Sequence, residues 1–204
     1  GALPRFTTNE MSYYLSWSTN GLINEYCNEA DAIYEGKPIK AMPLEGAEKI
    51  VIEGESFEAF NTSGGCATMC ETYAGKVQNL SYKTIRYPGH LNHMKFLFND
   101  LHLKKNKDVL EKLFDKEVPR TKNDVIIFFV KVIGMSEGAL QEKTYLRKIY
   151  GDEKFSAIQL TTASGVCSAL EMFLNGQIPQ SGFIKQESLS WDHFLDNKYG
   201  QVYV

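Results

Sequence analysis

A chain of 204 residues that is 43% hydrophobic and 23% charged can bury one well-packed core, or a core with an appendage. Its formal net charge of −3 and its lack of a basic block remove the electrostatic case for nucleic acid or an anionic membrane, and no uninterrupted apolar run approaches the roughly 18 residues of a membrane span. Cys27, Cys66, Cys70 and Cys167 follow no secreted disulfide spacing, so reduced thiols in a cytoplasmic protein are expected.

The chain opens Gly-Ala-Leu-Pro rather than with methionine, which suggests an excised or processed piece, and residues 1–15 read as a connecting segment. After the aromatic and small-polar run SYYLSWSTNG, one of Ser18, Thr19 or Asn20 is placed to cap a helix reaching about Asn28, with a turn near Gly36. KIVIEGESFEAF predicts a hairpin turning at Glu53 to Ser56, and NTSGGCATMCETYAG predicts a glycine-rich turn and a short helix over residues 67–73. From Val77 to Tyr87 the period is two, so Leu80, Tyr82, Thr84 and Arg86 share one strand face and Ile85 and Tyr87 the other.

Beyond Pro88-Gly89 the period becomes helical, with Met94, Leu97, Phe98 and Leu101 in one stripe, and KDVLEKLFDK predicts a helix with Val109, Leu110 and Leu113 inward. DVIIFFVKVIG reads as a strand covered on both faces, MSEG as a turn and LQEKTYLRKIY as the partner strand. FSAIQL predicts another strand and TTASG a turn. A helix follows over VCSALEMFLNG, with Val166, Leu170, Phe173 and Leu174 inward and Gly176 as its C-terminal cap. SLSWDHFLDN predicts a short helix capped by Ser190. Hairpins with helices in uneven order give an α+β fold, a mostly antiparallel or mixed sheet with helices on one face; with no repeat or linker, residues 1–204 read as a single domain.

Three segments, SWSTNG, NTSGG and TTASG, are hydroxyl-rich, end in glycine and precede a predicted helix, which suits either plain N-capping or an anion held by free N–H groups. Arg86 closes the strand before TIRYPGH; its planar fork suits bidentate recognition of a carboxylate or, equally, a structural ion pair. Pro88 holds Tyr87 extended and Gly89 relieves the corner, which sets the direction of the arginine. His90 and His93, three apart, lack acidic or thiolate companions at zinc spacing, so no metal site is predicted; His90 has the intrinsic pKa of a proton shuttle but no visible base. Cys66 and Cys70 suit small core residues, although Cys66 beside a helix start has the position of a thiol with a lowered pKa. Neither G-x-G-x-x-G nor G-x-x-x-x-G-K-[ST] occurs, so the chain carries no recognisable nucleotide site.

In combination, YYLSWSTNGLINEYCNEADAI, TIRYPGH and GFIKQESLSWDHFLDNKYGQVY resemble the C-terminal part of saccharopine dehydrogenase-type oxidoreductases, over essentially the whole chain. The resemblance implies an enzyme that uses NAD or NADP to interconvert an amine and an imine by hydride transfer. It implies a nucleotide domain preceding this part, against which residues 160–204 would pack, and so a fragment inactive by itself. It further implies a small amino-acid substrate and a homodimer, with Arg86, Ser16, Trp17, Ser18, Tyr87 and His90 as substrate-binding residues. Carboxynorspermidine- and lysine-dehydrogenase activities, and a non-catalytic amino-acid-binding or dimerisation module, stay open as alternatives.

Overall fold

Eight strands pair antiparallel throughout the computed structural model, which describes residues 1–204. The chain divides into two compact units, one of Phe6–Thr121 with Phe183–Ser188, the other of Gly1–Arg5, Lys122–Gly182 and Leu189–Val204. Nothing in composition marks this division, because every crossing falls in ordinary mixed sequence with no glycine-serine or proline-rich spacer.

In the first unit, helix α1 (Thr19–Cys27) is capped by the Ser18 side chain, which accepts from Gly21 N at 3.1 Å. Strands β1 (Ala2–Pro4, of the second unit), β2 (Ala30–Tyr34) and β3 (Lys37–Ala41) follow in numbering, and β2 and β3 form a hairpin turning at Glu35-Gly36. Strand β4 (Glu48–Ile52) pairs with β5 (Glu55–Asn61) across the predicted turn, where Glu53 and Gly54 both take positive φ, and β5 pairs in turn with β6 (Lys83–Arg86). Helices α2 (Met69–Tyr73), α3 (His90–Lys95) and α4 (Lys107–Glu117) complete the unit. Its core joins Leu22, Ile23 and Tyr26 of α1 to Phe60 of β5, Met94 and Phe98, and Leu110 and Phe114 of α4.

Two predicted stripes shift. In α4 the buried pair is Leu110 and Phe114, while Val109 and Leu113 face outward. The bulkier i, i+4 pair takes the core, and residues one position earlier stand about 100° round the helix. After α3 the chain makes a π-helical turn, Phe96–Asp100, whose extra residue rotates the register, so Met94 and Phe98 are buried but Leu101 is exposed. The period-two segment forms a ladder only over β6, and Leu80 instead bridges to Ile33 of the β2 hairpin.

In the second unit β1 adds an edge to the hairpin of β7 (Asp124–Ser136) and β8 (Ala139–Tyr150), so the segment read as a connection begins with a paired strand. Only Asp124 to Ile127 of β7 are buried; beyond Phe128 the hairpin exposes Val130, Val132, Ile133 and Met135 rather than being covered on both faces. FSAIQL and TTASG are not a strand and a turn but the first half of α5 (Ala157–Leu174). Ser156 and Gln159 form a reciprocal capping box, and the buried Asp124 carboxylate accepts from Ala157 N at 2.6 Å and Ile158 N at 3.1 Å. Thr161 donates its hydroxyl back to Ala157 O, which removes the side-chain competition that would otherwise break a helix.

The face of α5 is also the reverse of the predicted one. Thr161, Ser164, Ser168 and Met172 are buried, whereas Val166, Leu170 and Leu174 are exposed. Bulk comes here from the C-terminal segment: Tyr203 donates to Thr161 O and sits 3.0 Å from where a Cβ on Gly165 would lie, and Ser168 donates to Phe194 O. Small helix residues therefore face large partners from the tail, and α6 (Trp191–Asp196), capped by Ser190, stacks Trp191 on Phe194 beside them. With 18 residues and a mean hydropathy of 1.2, α5 is long and apolar enough to cross a membrane by length and composition.

Candidate functional site

Alternation along β6 puts Tyr82, Thr84 and Arg86 on the sheet face that also carries Phe60 and Thr62, and α1 lays Tyr26 and Glu25 near it. Arg86 does not stand open at the strand end: it is 2% exposed. Its Nη1 donates to Ile85 O at 2.9 Å and its Nε to Tyr26 Oη at 3.0 Å. The guanidinium also lies 5.4 Å from the centre of the Tyr13 ring, within cation–π range.

Tyr26 is in turn held by His90, with Oη 2.9 Å from Nε2, and His90 Nδ1 lies 3.0 Å from Met11 O. The carbonyl can only accept, so Nδ1 carries the proton, Nε2 accepts from the Tyr26 hydroxyl, and that oxygen accepts from Arg86. Burial, reinforced by the Arg86 charge, presses the His90 pKa down to about 3, in keeping with this neutral tautomer. Burial opposes the Arg86 charge, yet Tyr26, Tyr13 and Glu25 hold its pKa above the ordinary value. One directed chain therefore runs from the Met11 carbonyl to a fixed buried cation.

Around that cation Tyr13 Oη, Ser16 Oγ, Trp17 Nε1 and Thr62 Oγ1 are buried with no hydrogen-bonding partner. Tyr13 and Thr62 have no exposed surface at all. Buried polar groups without partners are uncommon and mark places where a ligand or water completes the site. Aromatic rings replace side chains on two glycines of the surrounding turns. A Cβ at Gly21 would fall 2.6 Å from the Trp17 ring, and one at Gly65 would fall 1.9 Å from the Tyr82 ring.

Not every predicted residue joins the cluster. Ser16 and Trp17 contribute unpartnered polar atoms to it, whereas Ser18 is the exposed N-cap of α1. Tyr87 lies on the opposite sheet face, stacked on Phe57 with ring centres 5.7 Å apart. His90 is fully buried with both nitrogens engaged, so it acts through Tyr26. Gly89, at φ 95°, turns the chain into α3, and Glu58 caps the corner by accepting from Gly89 N and Leu91 N. Of the three hydroxyl-rich turns, SWSTNG is an N-cap, NTSGG precedes a helix whose Thr68 cap makes no side-chain bond, and TTASG lies inside α5. Burial pushes the Cys66 thiol up to about 12, the reverse of the lowering expected from a helix start.

Tyr13, Tyr26 and Glu25 escaped the sequence reading. Tyr26 stands four residues from Leu22 on an apolar stripe, where an aromatic ring counts as core, and only the fold turns its hydroxyl onto Arg86.

Two comparisons bear on this arrangement. The model of a family described as the saccharopine dehydrogenase C-terminal domain matches residues 1–197. A solved structure of apo saccharopine dehydrogenase (L-Glu forming) from Saccharomyces cerevisiae is similar in fold, with a TM-score of 0.65 at 14% identity over 87% of this chain. The matched region is 57% of the yeast chain, so the present chain spans little more than half its length.

Proposed function

We propose, from the premise that this chain belongs to the saccharopine dehydrogenase C-terminal domain family, that it is the substrate-binding part of an NAD(P)-dependent oxidoreductase. Its substrate would be an amino-acid-derived secondary amine, saccharopine or a close analogue, reacting at the C–N bond. The observation that carries the reading is the immobilised Arg86 guanidinium among buried, unpartnered polar atoms of Tyr13, Ser16, Trp17 and Thr62. A fixed cation in a poorly solvated cluster attracts a carboxylate far more than one in water, and a carboxylate so held orients the adjacent carbon and nitrogen. The Met11–His90–Tyr26 chain serves to keep that cation still.

The nicotinamide, when bound, supplies or receives the hydride. Antiparallel sheets without a G-x-G-x-x-G turn do not make a dinucleotide site, so the cofactor is assigned to a part of the enzyme outside these residues. The exposed stripe of Val166, Leu170 and Leu174 is the face proposed to meet that part, and the exposed end of the β7–β8 hairpin the face proposed for a homodimer. The proposed setting is the cytoplasm, in keeping with four free cysteines.

The direct test mixes the full-length enzyme with NADH or NADPH and candidate carbonyl–amine pairs, and follows nicotinamide absorbance. Turnover with an amino acid bearing a second carboxylate is expected. Turnover only with polyamine-derived pairs, or with none, defeats the assignment; light scattering that finds only monomer defeats the dimer.

A further inference from the structure

Glu25 is the charged group near the cluster for which the relay has no use. It follows Trp17 and Gly21 at four-residue steps, so the three stand on one side of the α1 segment, next to the Leu22–Tyr26 stripe that enters the core. Trp17 lies over Gly21 and leaves its indole N–H without a partner. At the other end of this row the turn after β5 closes in: Ser63 N donates to Glu25 O at 3.2 Å, Thr62 Oγ1 is buried and unpartnered, and Tyr82 covers Gly65. The Glu25 side chain is half-buried and makes no hydrogen bond or ion pair.

A carboxylate losing water without gaining a partner is costly, and such groups concentrate at sites that bind something. Burial raises the Glu25 pKa and the Arg86 charge opposes the rise; Glu25 also acts on Tyr13, Tyr26 and Tyr82. Glu25 and Arg86 thus sit across one cluster as opposite charges that do not close on each other as a contact pair. The ligand that satisfies both is dipolar, with a carboxylate for the guanidinium and a protonated nitrogen for the carboxylate.

We propose that Glu25 is the residue that recognises the cationic nitrogen of the substrate, so that Arg86 and Glu25 together select an α-amino-acid terminus. The inference rests on the proposed amino-acid substrate class and adds to it the group that reads the amine. It gives the enzyme a discrimination that Arg86 alone cannot, because a dicarboxylate lacking the amine leaves Glu25 desolvated and unpaired.

Calorimetric titration of the full-length enzyme with L-glutamate and with glutarate, which lacks the amine, tests the assignment. Wild type binds L-glutamate about tenfold more tightly than glutarate, the scale of one charge-assisted hydrogen bond. In Glu25→Gln that preference disappears through weaker L-glutamate binding, glutarate affinity is unchanged, and Glu25→Asp keeps part of the preference. The thermal midpoint of Glu25→Gln is equal to or above that of wild type, since no native bond is lost; a merely structural role predicts a lower one. Equal wild-type affinities for the two compounds, or a preference intact in Glu25→Gln, overturn the role of Glu25 and leave the carboxylate anchor standing. Binding of neither compound by folded wild type overturns the amino-acid reading and this inference with it.

Discussion

Replacing Arg86 with alanine in the full-length enzyme raises KM for the carboxylate-bearing substrate by about 100-fold or more, the equivalent of two charge-assisted hydrogen bonds at roughly 1.5–3 kcal/mol each. The turnover number falls less, because the guanidinium is expected to hold a carboxylate remote from the reacting carbon in both ground and transition states. Alanine also removes the donor to Tyr26 and leaves a void behind Tyr13, so part of the variant's behaviour is structural. Arg86→Lys separates the two effects. Lysine keeps the charge but loses the fork, so the folded variant retains a KM raised about tenfold, the loss of one such bond. A folded lysine variant together with an alanine variant of unchanged KM removes Arg86 from substrate binding and leaves it a core residue.

The second large effect is on stability in acid. The folded-state pKa of His90 is about 3, against about 6.5 in the unfolded chain. Between these values the unfolded chain binds a proton that the folded chain refuses. The stabilisation from a neutral His90 is therefore complete above about pH 6.5 and is lost as pH falls towards 3, at roughly 1.4 kcal/mol per pH unit and on the order of 4 kcal/mol in all. Urea unfolding of wild type and His90→Gln at several pH values between 3 and 7 measures the difference, since glutamine keeps a donor and an acceptor but does not titrate. Wild type loses stability more steeply, by close to one proton near pH 5. Parallel pH profiles would show that His90 titrates normally and that the relay does not depend on its neutral form.

Both expectations rest on contacts between residues far apart in sequence. The positions of Arg86 and His90 were readable because local patterns display them: a period-two strand ends at the arginine, and a proline-glycine corner delivers the histidine to a helix start. Their partners were not readable. Tyr26 lies 60 residues from Arg86 and 64 from His90, on a stripe whose apolar spacing is satisfied whatever its hydroxyl does. Met11 contributes only a backbone carbonyl, which no side-chain pattern reports.

What the residues decided unaided was the kind of fold and the cleaner local turns. The uneven mixture of hairpins and helices implied α+β with antiparallel pairing, Glu53-Gly54 located a hairpin, and Ser18 and Ser190 marked two helix starts. These features depend on backbone sterics and on hydrogen bonds within a few residues, so neighbouring sequence suffices. Tertiary structure decided the orientation of α5, whose larger apolar residues face out because Phe194 and Tyr203 fill the space against its hydroxyl face. It also decided that Arg86 is buried, that Tyr87 is turned away from it, and that Glu25 is left without a partner beside it. Packing and desolvation depend on what arrives from elsewhere in the chain, and periodicity says which residues share a face, not what that face will meet.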